Sequence, residues 1–173
     1  MTPLDRLLAL DDIRRLVLRY SVAIADRDVD LMVSLYDDEA SFGLYGTGED
    51  ALRRLVEATA GDLVFGVILV ANHLVDIVDD RQATGEVWAR CYAQNADGYY
   101  EQLIRYVDRY VDRGAAGAPD WRFANRKHLL WFGEPQPSPL AQAPANWPDS
   151  QVGIGNIPLA DPAVVAWRES RGV

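Results

Sequence analysis

Residues 83–112 read ATGEVWARCYAQ, NADG and YYEQLIRYVDRYVD in succession, and this stretch decides the fold. The first and last segments are rich in β-branched and aromatic residues, which favour strands. The four residues between them combine Asn, Asp and Gly, a composition typical of a hairpin turn. Two long strands joined this closely are expected to pair antiparallel.

Further strands are predicted on both sides of this hairpin. Residues 63–78 are rich in Val, Ile and Leu and stop at the turn signal Asp79-Asp80. Residues 121–132 follow a loop of Gly, Ala and Pro. Consecutive long strands with short connections predict one antiparallel sheet.

Helices are predicted before the sheet. Thr2 and Pro3 suit the start of a helix, on which Ile13, Leu16 and Tyr20 recur at helical spacing and make one apolar face. Because the helices come first and the strands later, they are expected to cover one face of the sheet, which is an α+β arrangement.

Three shorter elements follow the first helix. Asp28 is the predicted N-cap of a second, short helix. Residues 39–45 are predicted to form a short strand, and residues 49–60 a third helix.

Composition limits the classes of function. The chain has 173 residues and a net charge of −9, which predicts one acidic domain without the basic face that nucleic acid or an anionic membrane requires. One cysteine, Cys91, excludes an intramolecular disulfide and is typical of a reducing cytoplasm. No secretory signal or membrane span is predicted. The scattered histidines and cysteine make no metal-ligand spacing, so neither a metal nor a cofactor is expected.

The composition changes near residue 133. Residues 1–132 are predicted to form the domain and residues 133–173 a Pro-rich tail, since five of the nine prolines fall in residues 134–149. Trp147 and Trp167 in this tail are large apolar side chains that need a surface to cover. We expect the tail to pack on the domain or on a neighbouring subunit.

Two segments carry a resemblance to a known family. The helical segment Ile13-Arg-Arg-Leu-Val-Leu-Arg-Tyr20 and the strand segments Tyr106-Val-Asp108-Arg109 and Trp121-Arg-Phe-Ala-Asn-Arg126 resemble the SnoaL-like branch of the nuclear-transport-factor-2-like superfamily. The resemblance covers roughly residues 4–132. It implies a cone-shaped barrel in which a curved sheet wraps around helices and encloses one deep pocket. It also implies cofactor-free elimination, dehydration or isomerisation, as in lyases of the scytalone dehydratase and hexachlorocyclohexane dehydrochlorinase kind.

The resemblance also implies a catalytic pair, a His supported by an Asp. In the family register counted back from Asp28, the position of the catalytic Asp falls at Ala25. Counted back from Asn72, the position of the catalytic His falls at Ile68. Neither side chain can accept a proton, so on this register the pair is absent.

Two further residues are candidates for the pair, Asp26 next to Ala25 and His73 next to Asn72. Asp26 would reach the pocket only if the helix end turned it inward, and is otherwise a solvated carboxylate. His73 is expected on the face opposite Asn72, outside the pocket, unless a β-bulge at Gly66 changes the register.

Arg126 matches an Arg that in the resembling lyases holds a leaving group or developing anion, and is otherwise a surface cation on a polar strand. Asp108 is either its buried partner or one half of a cross-strand ion pair. Tyr20 and Tyr106 either donate to a developing enolate or pack in the core with their hydroxyls satisfied locally. His128 either shares the face of Arg126 or lies outside the pocket if that face is solvent, and it is expected to be a partly exposed strand histidine.

These considerations predict a cofactor-independent lyase or isomerase acting on a small hydrophobic molecule, aromatic or polycyclic. The alternative is a binding or structural protein of the same fold. The outer face of an open antiparallel sheet needs covering, so a homo-oligomer is expected. The resemblance implies a trimer ahead of a dimer, because related lyases are often trimers. The predicted catalytic residues are Tyr20, Asp26 and Arg126, and the predicted substrate-binding residues are Tyr36, Tyr45, Ile68, Asn72, Trp88, Tyr106 and Asp108.

Overall fold

The computed structural model describes residues 1–63, 65–95, 98–115, 117–135, 165–166 and 169–170. The helices are α1 (Pro3–Asp26), α2 (Val29–Ser34) and α3 (Glu49–Ala60). The strands are β1 (Phe65–Ile77), β2 (Gln82–Gln94), β3 (Tyr99–Asp112) and β4 (Trp121–Pro135). The strands form one sheet in the order β1-β2-β3-β4, each pair antiparallel, which confirms the predicted α+β fold.

The helix starts follow from local hydrogen bonds. The Thr2 hydroxyl accepts from the Asp5 N–H at 3.2 Å, and the Asp5 carboxylate accepts from the Thr2 N–H at 2.9 Å, so α1 begins with a capping box. Arg27 ends α1 in the left-handed region with φ 56°. Asp28 then accepts from the Leu31 N–H at 2.8 Å and caps α2. Both predicted N-caps are therefore confirmed.

The central hairpin also forms as predicted. The Asn95 N–H donates to the Gly98 carbonyl, and the Gly98 N–H donates back to the Asn95 side chain, both at 3.0 Å. β2 buries alternate residues from Ala83 to Ala89. This period of two is that of a strand with one face against the core.

The strand predicted for residues 39–45 is wrong. Gly43–Tyr45 is a 3-10 turn, and Ser41 and Thr47 share only an isolated bridge. Gly43 has φ 62° and Gly46 has φ 101°, which are left-handed conformations that a continuous strand cannot contain.

The helices lie on one face of the sheet, which we call the inner face. α1 packs along β1, and β4 meets the segment after α2 where the Asp37 N–H donates to the Phe123 carbonyl at 3.0 Å. The opposite, outer face carries exposed apolar side chains, including Leu69, Leu74 and Trp131.

β4 continues to Pro135, beyond the predicted strand end at Phe132, and so includes the first residues of the predicted tail. Trp147 and Trp167 lie outside the described residues. None of the helices formed by the described residues combines the length and the apolar character that crossing a bilayer requires.

The core position Ile13 offers a test of this packing. Ile13 is fully buried and Leu18, on the same helix, is 52% exposed. We expect Ile13→Ala to lower the free energy of unfolding by about 2–5 kcal/mol, because it leaves a cavity in the core. Leu18→Ala should change it by no more than about 0.5 kcal/mol. Urea unfolding of both variants measures the difference, and equal effects would contradict the assigned inner face of α1.

Candidate functional site

The inward face of β4 changes at a β-bulge. The pairing with β3 skips Ala124, because Phe123 and Asn125 pair with adjacent residues of β3. Phe123 is fully buried on the inner face. Strict alternation would then direct Asn125 inward, but the extra residue directs Arg126 inward instead.

Arg126 meets Asp108 on the neighbouring strand. Its Nε donates to Asp108 Oδ1 at 3.0 Å and its Nη2 to Oδ2 at 2.8 Å. The two side chains are 3% and 0% exposed. Asp108 is therefore the buried partner of Arg126. Two charge-assisted hydrogen bonds hold the pair in the fork geometry that arginine provides.

Aromatic rings surround the guanidinium. The Arg126 Cζ lies 4.5 Å from the ring centroid of Tyr20, 4.3 Å from that of Tyr106 and 4.2 Å from that of Phe123. Tyr36 packs beside them, with its ring centroid 5.1 Å from that of Phe123. At these distances the rings stabilise the buried positive charge through cation–π interactions. We call the following residues the Arg126 cluster: Arg126, Asp108, Tyr20, Tyr36, Tyr106 and Phe123.

The cluster has defined protonation states at neutral pH. Burial raises the pKa of Tyr20, Tyr36 and Tyr106, and the charge of Arg126 only partly opposes this. Burial by itself would lower the pKa of Arg126, but Asp108 raises it above its ordinary value through charge and hydrogen bonding. The tyrosines are therefore neutral O–H groups, able to donate, and the guanidinium is charged.

His128 lies at the edge of the cluster. Its ring centroid is 5.4 Å from that of Tyr106, and the residue is exposed. Partial burial of the ring beside Tyr106 and then the charge of Arg126 lower the pKa of His128 below its ordinary value, so the imidazole is neutral at physiological pH. A neutral, accessible imidazole is a competent general base. The exposure predicted for His128 is confirmed, and its spacing of two residues from Arg126 on one strand is the sequence signal for their shared face.

A second bulge reverses the predicted faces of β1 after Ala71. Val70 and Asn72 pair with consecutive residues of β2, so Ala71 is left between them. Asn72 is consequently exposed on the outer face, and His73 points inward, partly buried. The predicted faces of Asn72 and His73 are both wrong, because the bulge lies at Ala71 and not at Gly66.

His73 joins the cluster through Tyr110. Its Nε2 lies 3.0 Å from the Tyr110 hydroxyl oxygen, and that hydroxyl donates to Asp108 Oδ2 at 2.8 Å. A continuous line of hydrogen bonds therefore runs from His73 on β1 to Arg126 on β4. Neither His73 nor Tyr110 was among the predicted site residues.

Three predicted residues lie away from the cluster. Trp88 is on the outer face, where its ring centroid is 5.2 Å from that of Trp131, so its predicted place in the pocket is wrong. Asp26 is exposed at the last position of α1, and the helix end does not turn it inward. Tyr45 belongs to the 3-10 turn, where its carbonyl accepts from Arg54.

Ile68 is buried on the inner face near the C-terminal end of α1. A Cβ added to the neighbouring Gly66 would lie 3.6 Å from Ile24 of that helix. Ile24 and Ile68 therefore present aliphatic side chains in this region. Within the described part of the chain, no three His, Cys, Asp or Glu side chains are grouped as a metal ion would need.

The model of the SnoaL-like domain matches residues 5–127. The chain belongs to the SnoaL-like family. The resemblance found in the sequence is thereby confirmed. No curated protein is significantly similar to the chain in sequence.

Solved structures share the fold at low sequence identity. A hexachlorocyclohexane dehydrochlorinase, LinA type 2, is 17% identical with a TM-score of 0.71, over 84% of this chain and 100% of that one. A candidate scytalone dehydratase from Novosphingobium aromaticivorans is 17% identical with a TM-score of 0.67, over 82% and 99% of the two chains. A protein of unknown function from Mycobacterium tuberculosis is 22% identical with a TM-score of 0.61, over 94% and 91%.

The inward position of His73 predicts a pH effect on stability. Burial lowers its pKa to about 4, Arg126 and Arg14 act in the same direction, and Asp108 opposes them. In the unfolded chain the pKa is about 6.5. As the pH falls from about 6.5 to about 4, the unfolded state therefore takes up a proton that the folded state does not, and stability is lost.

We expect the melting temperature of the wild type to fall more steeply between pH 7 and pH 4.5 than that of His73→Gln. Thermal unfolding across this range measures the difference. The comparison is repeated in a His128→Gln background, in which the titration of the other histidine no longer contributes. Parallel curves would contradict a half-buried, inward His73.

Proposed function

We propose that this protein is a cofactor-independent lyase or isomerase that moves a proton on a hydrophobic small molecule, aromatic or polycyclic. The single observation that carries the proposal is the Arg126 cluster. The cluster combines a buried guanidinium with tyrosine hydroxyls, and His128 at its edge adds an accessible neutral imidazole on the same inner face. These are the donors and the base that an elimination through a carbanion-like transition state requires.

His128 is the proposed base. Its imidazole removes a proton from a carbon of the substrate, and the electrons of that C–H bond form a C=C bond as the leaving group departs. Arg126 and the hydroxyls of Tyr20 and Tyr106 stabilise the negative charge that develops on an oxygen or on the leaving group. Because His128 is exposed, the proton it gains can pass to solvent. In an isomerisation the same proton returns to another carbon.

The charge balance of the cluster favours a neutral substrate. Asp108 compensates the charge of Arg126 in the resting protein, so an anionic ligand is not needed to make burial of the guanidinium favourable. Negative charge in the transition state interacts with Arg126, whereas the neutral substrate does not. The transition state is therefore stabilised more than the bound substrate, which accelerates the reaction. Tyr36, Tyr106 and Ile68 would supply the apolar and aromatic contacts to the substrate rings.

Two relatives support the reaction class. The structural neighbours include a dehydrochlorinase and a candidate scytalone dehydratase, whose names describe loss of hydrogen chloride and of water. Membership of the SnoaL-like family supports a small molecule as the ligand.

The aliphatic residues near the end of α1 favour a second candidate function. On the register predicted from the sequence, Ala25 and Ile68 take the positions of the carboxylate and the histidine of the resembling lyases, and a ligand-binding protein without catalysis would lack that pair. This binder would hold the same class of hydrophobic molecule without converting it.

Turnover by single-site variants separates the two functions. The wild type is incubated in D2O with ring compounds that carry an acidic C–H beside a hydroxyl or halide leaving group, and deuterium uptake and product are followed by NMR. We expect His128→Gln to lower kcat by about 10²–10⁴-fold, the contribution of a positioned base. Arg126→Lys, which keeps the charge but not the fork, should lower it by about 10²-fold or more.

Arg122→Lys is the matched control on the same strand, since Arg122 pairs with Asp120 outside the cluster. It should retain full activity, and chelation with EDTA should leave turnover unchanged. Wild-type rates in His128→Gln would reject His128 as the base. Binding without conversion of any compound would favour the second function.

A homo-oligomer, trimer ahead of dimer, remains our proposal for the assembly. It is supported by the exposed apolar side chains of the outer face, among them Leu74 at 63% and Trp131 at 62% exposure. The free thiol of Cys91 is consistent with the cytoplasm as the proposed location.

We expect light scattering at micromolar concentration to give a multiple of the 19.3 kDa chain mass. Leu74→Glu should lower the measured mass, because it places a charge in the proposed interface. Leu44→Glu is the control, since Leu44 is exposed on the 3-10 turn and not on the sheet. A monomeric wild type would reject the proposal.

A further inference from the structure

Tyr110 connects two strands that are not neighbours. It lies on β3, and its hydroxyl reaches His73 on β1 across the intervening strand β2. The residue of β2 beneath it is Gly85, which pairs with Asp108 on one side and Val75 on the other.

Gly85 makes this crossing sterically feasible. A Cβ at this position would lie 2.9 Å from Tyr110 Cε2, 3.0 Å from the Tyr110 hydroxyl oxygen and 2.9 Å from the Leu74 carbonyl oxygen. Such contacts are shorter than van der Waals distances, so any side chain at Gly85 would displace the tyrosine. The missing side chain therefore leaves the space through which Tyr110 passes.

The direction of the hydrogen bonds is fixed by the available protons. Asp108 is an acceptor, and it receives Nε–H and Nη2–H from Arg126. The single hydroxyl proton of Tyr110 is donated to Asp108, so the Tyr110 oxygen can only accept from His73. His73 must then carry its proton on Nε2.

We propose that Tyr110 is a positioning residue for Arg126, because its hydroxyl, crossing β2 over Gly85, ties His73 to Asp108 and so holds the carboxylate that orients the guanidinium. This proposal depends on the proposed function in one respect, which is that Arg126 stabilises negative charge during the reaction. Tyr110 and His73 act through Asp108, and neither needs to contact the substrate.

The line of hydrogen bonds can be observed by NMR without any substrate. In a His128→Gln protein, His73 is the single remaining histidine. We expect a resolved, slowly exchanging Nε2–H signal from His73, and slow exchange of the Arg126 Nε–H with solvent. In Tyr110→Phe the His73 signal should be lost, and the Arg126 Nε–H should exchange about tenfold faster, the factor expected for loss of one ordinary hydrogen bond.

Tyr99→Phe is the matched control. Tyr99 is on the same strand and donates to the carboxylate of Glu101 two residues away, at 3.1 Å, outside the Arg126 cluster. It should leave both signals as in the parent protein. Gly85→Ala should reproduce the effect of Tyr110→Phe by displacing the ring, and if that variant does not fold, Tyr110→Phe alone decides.

The proposal is overturned if both signals are unchanged in folded Tyr110→Phe, or if Tyr99→Phe alters them equally. Where turnover is measurable, Tyr110→Phe should lower kcat with little change in KM. A wild type without activity on any compound would reject the proposed function, but the NMR signals would still decide whether Tyr110 positions Arg126.

Discussion

The buried ion pair between Arg126 and Asp108 is the interaction on which the interior of this protein depends. Removing two charges from water costs several kcal/mol per ion, and a single partner does not compensate for it. Here the carboxylate accepts from Arg126 and Tyr110, and three rings lie over the guanidinium. The inner face is therefore organised to keep one charge pair satisfied, and a reacting molecule would encounter its electrostatic field already in place.

Most of the architecture could be predicted from local signals. Thr2 and Asp28 predict the starts of their helices, because short polar side chains accept from the free N–H groups of the first helical turn. Asn95 and Gly98 predict the hairpin turn. These features depend on neighbours within a few residues. The strand predicted for residues 39–45 is wrong because Gly43 and Gly46 adopt positive φ angles, which residue composition alone does not reveal.

The candidate site was only partly predictable. Arg126, Asp108 and the tyrosines could be selected from residue type and the family resemblance, but their partners depend on register across four strands. The faces predicted for His73 and Asn72 are wrong because the alternation of β1 breaks at Ala71, which is an unpaired residue. A bulge in the middle of an apolar run leaves no reliable signal in a single sequence, since Ala fits a paired position equally well.

The bulges at Ala71 and Ala124 make the side chains of the inner face depend on the exact number of residues in β1 and β4. His73 and Arg126, at the two ends of the hydrogen-bond line, face inward only because Ala71 and Ala124 are extra residues, whereas Asp108 and Tyr110 follow the plain alternation of β3. Loss of one codon at either alanine would exchange the inward and outward side chains beyond it and remove one end of the line, although every residue of the line was still encoded. Among relatives, differences in this line of hydrogen bonds should therefore follow insertions and deletions in the edge strands β1 and β4 as much as substitutions.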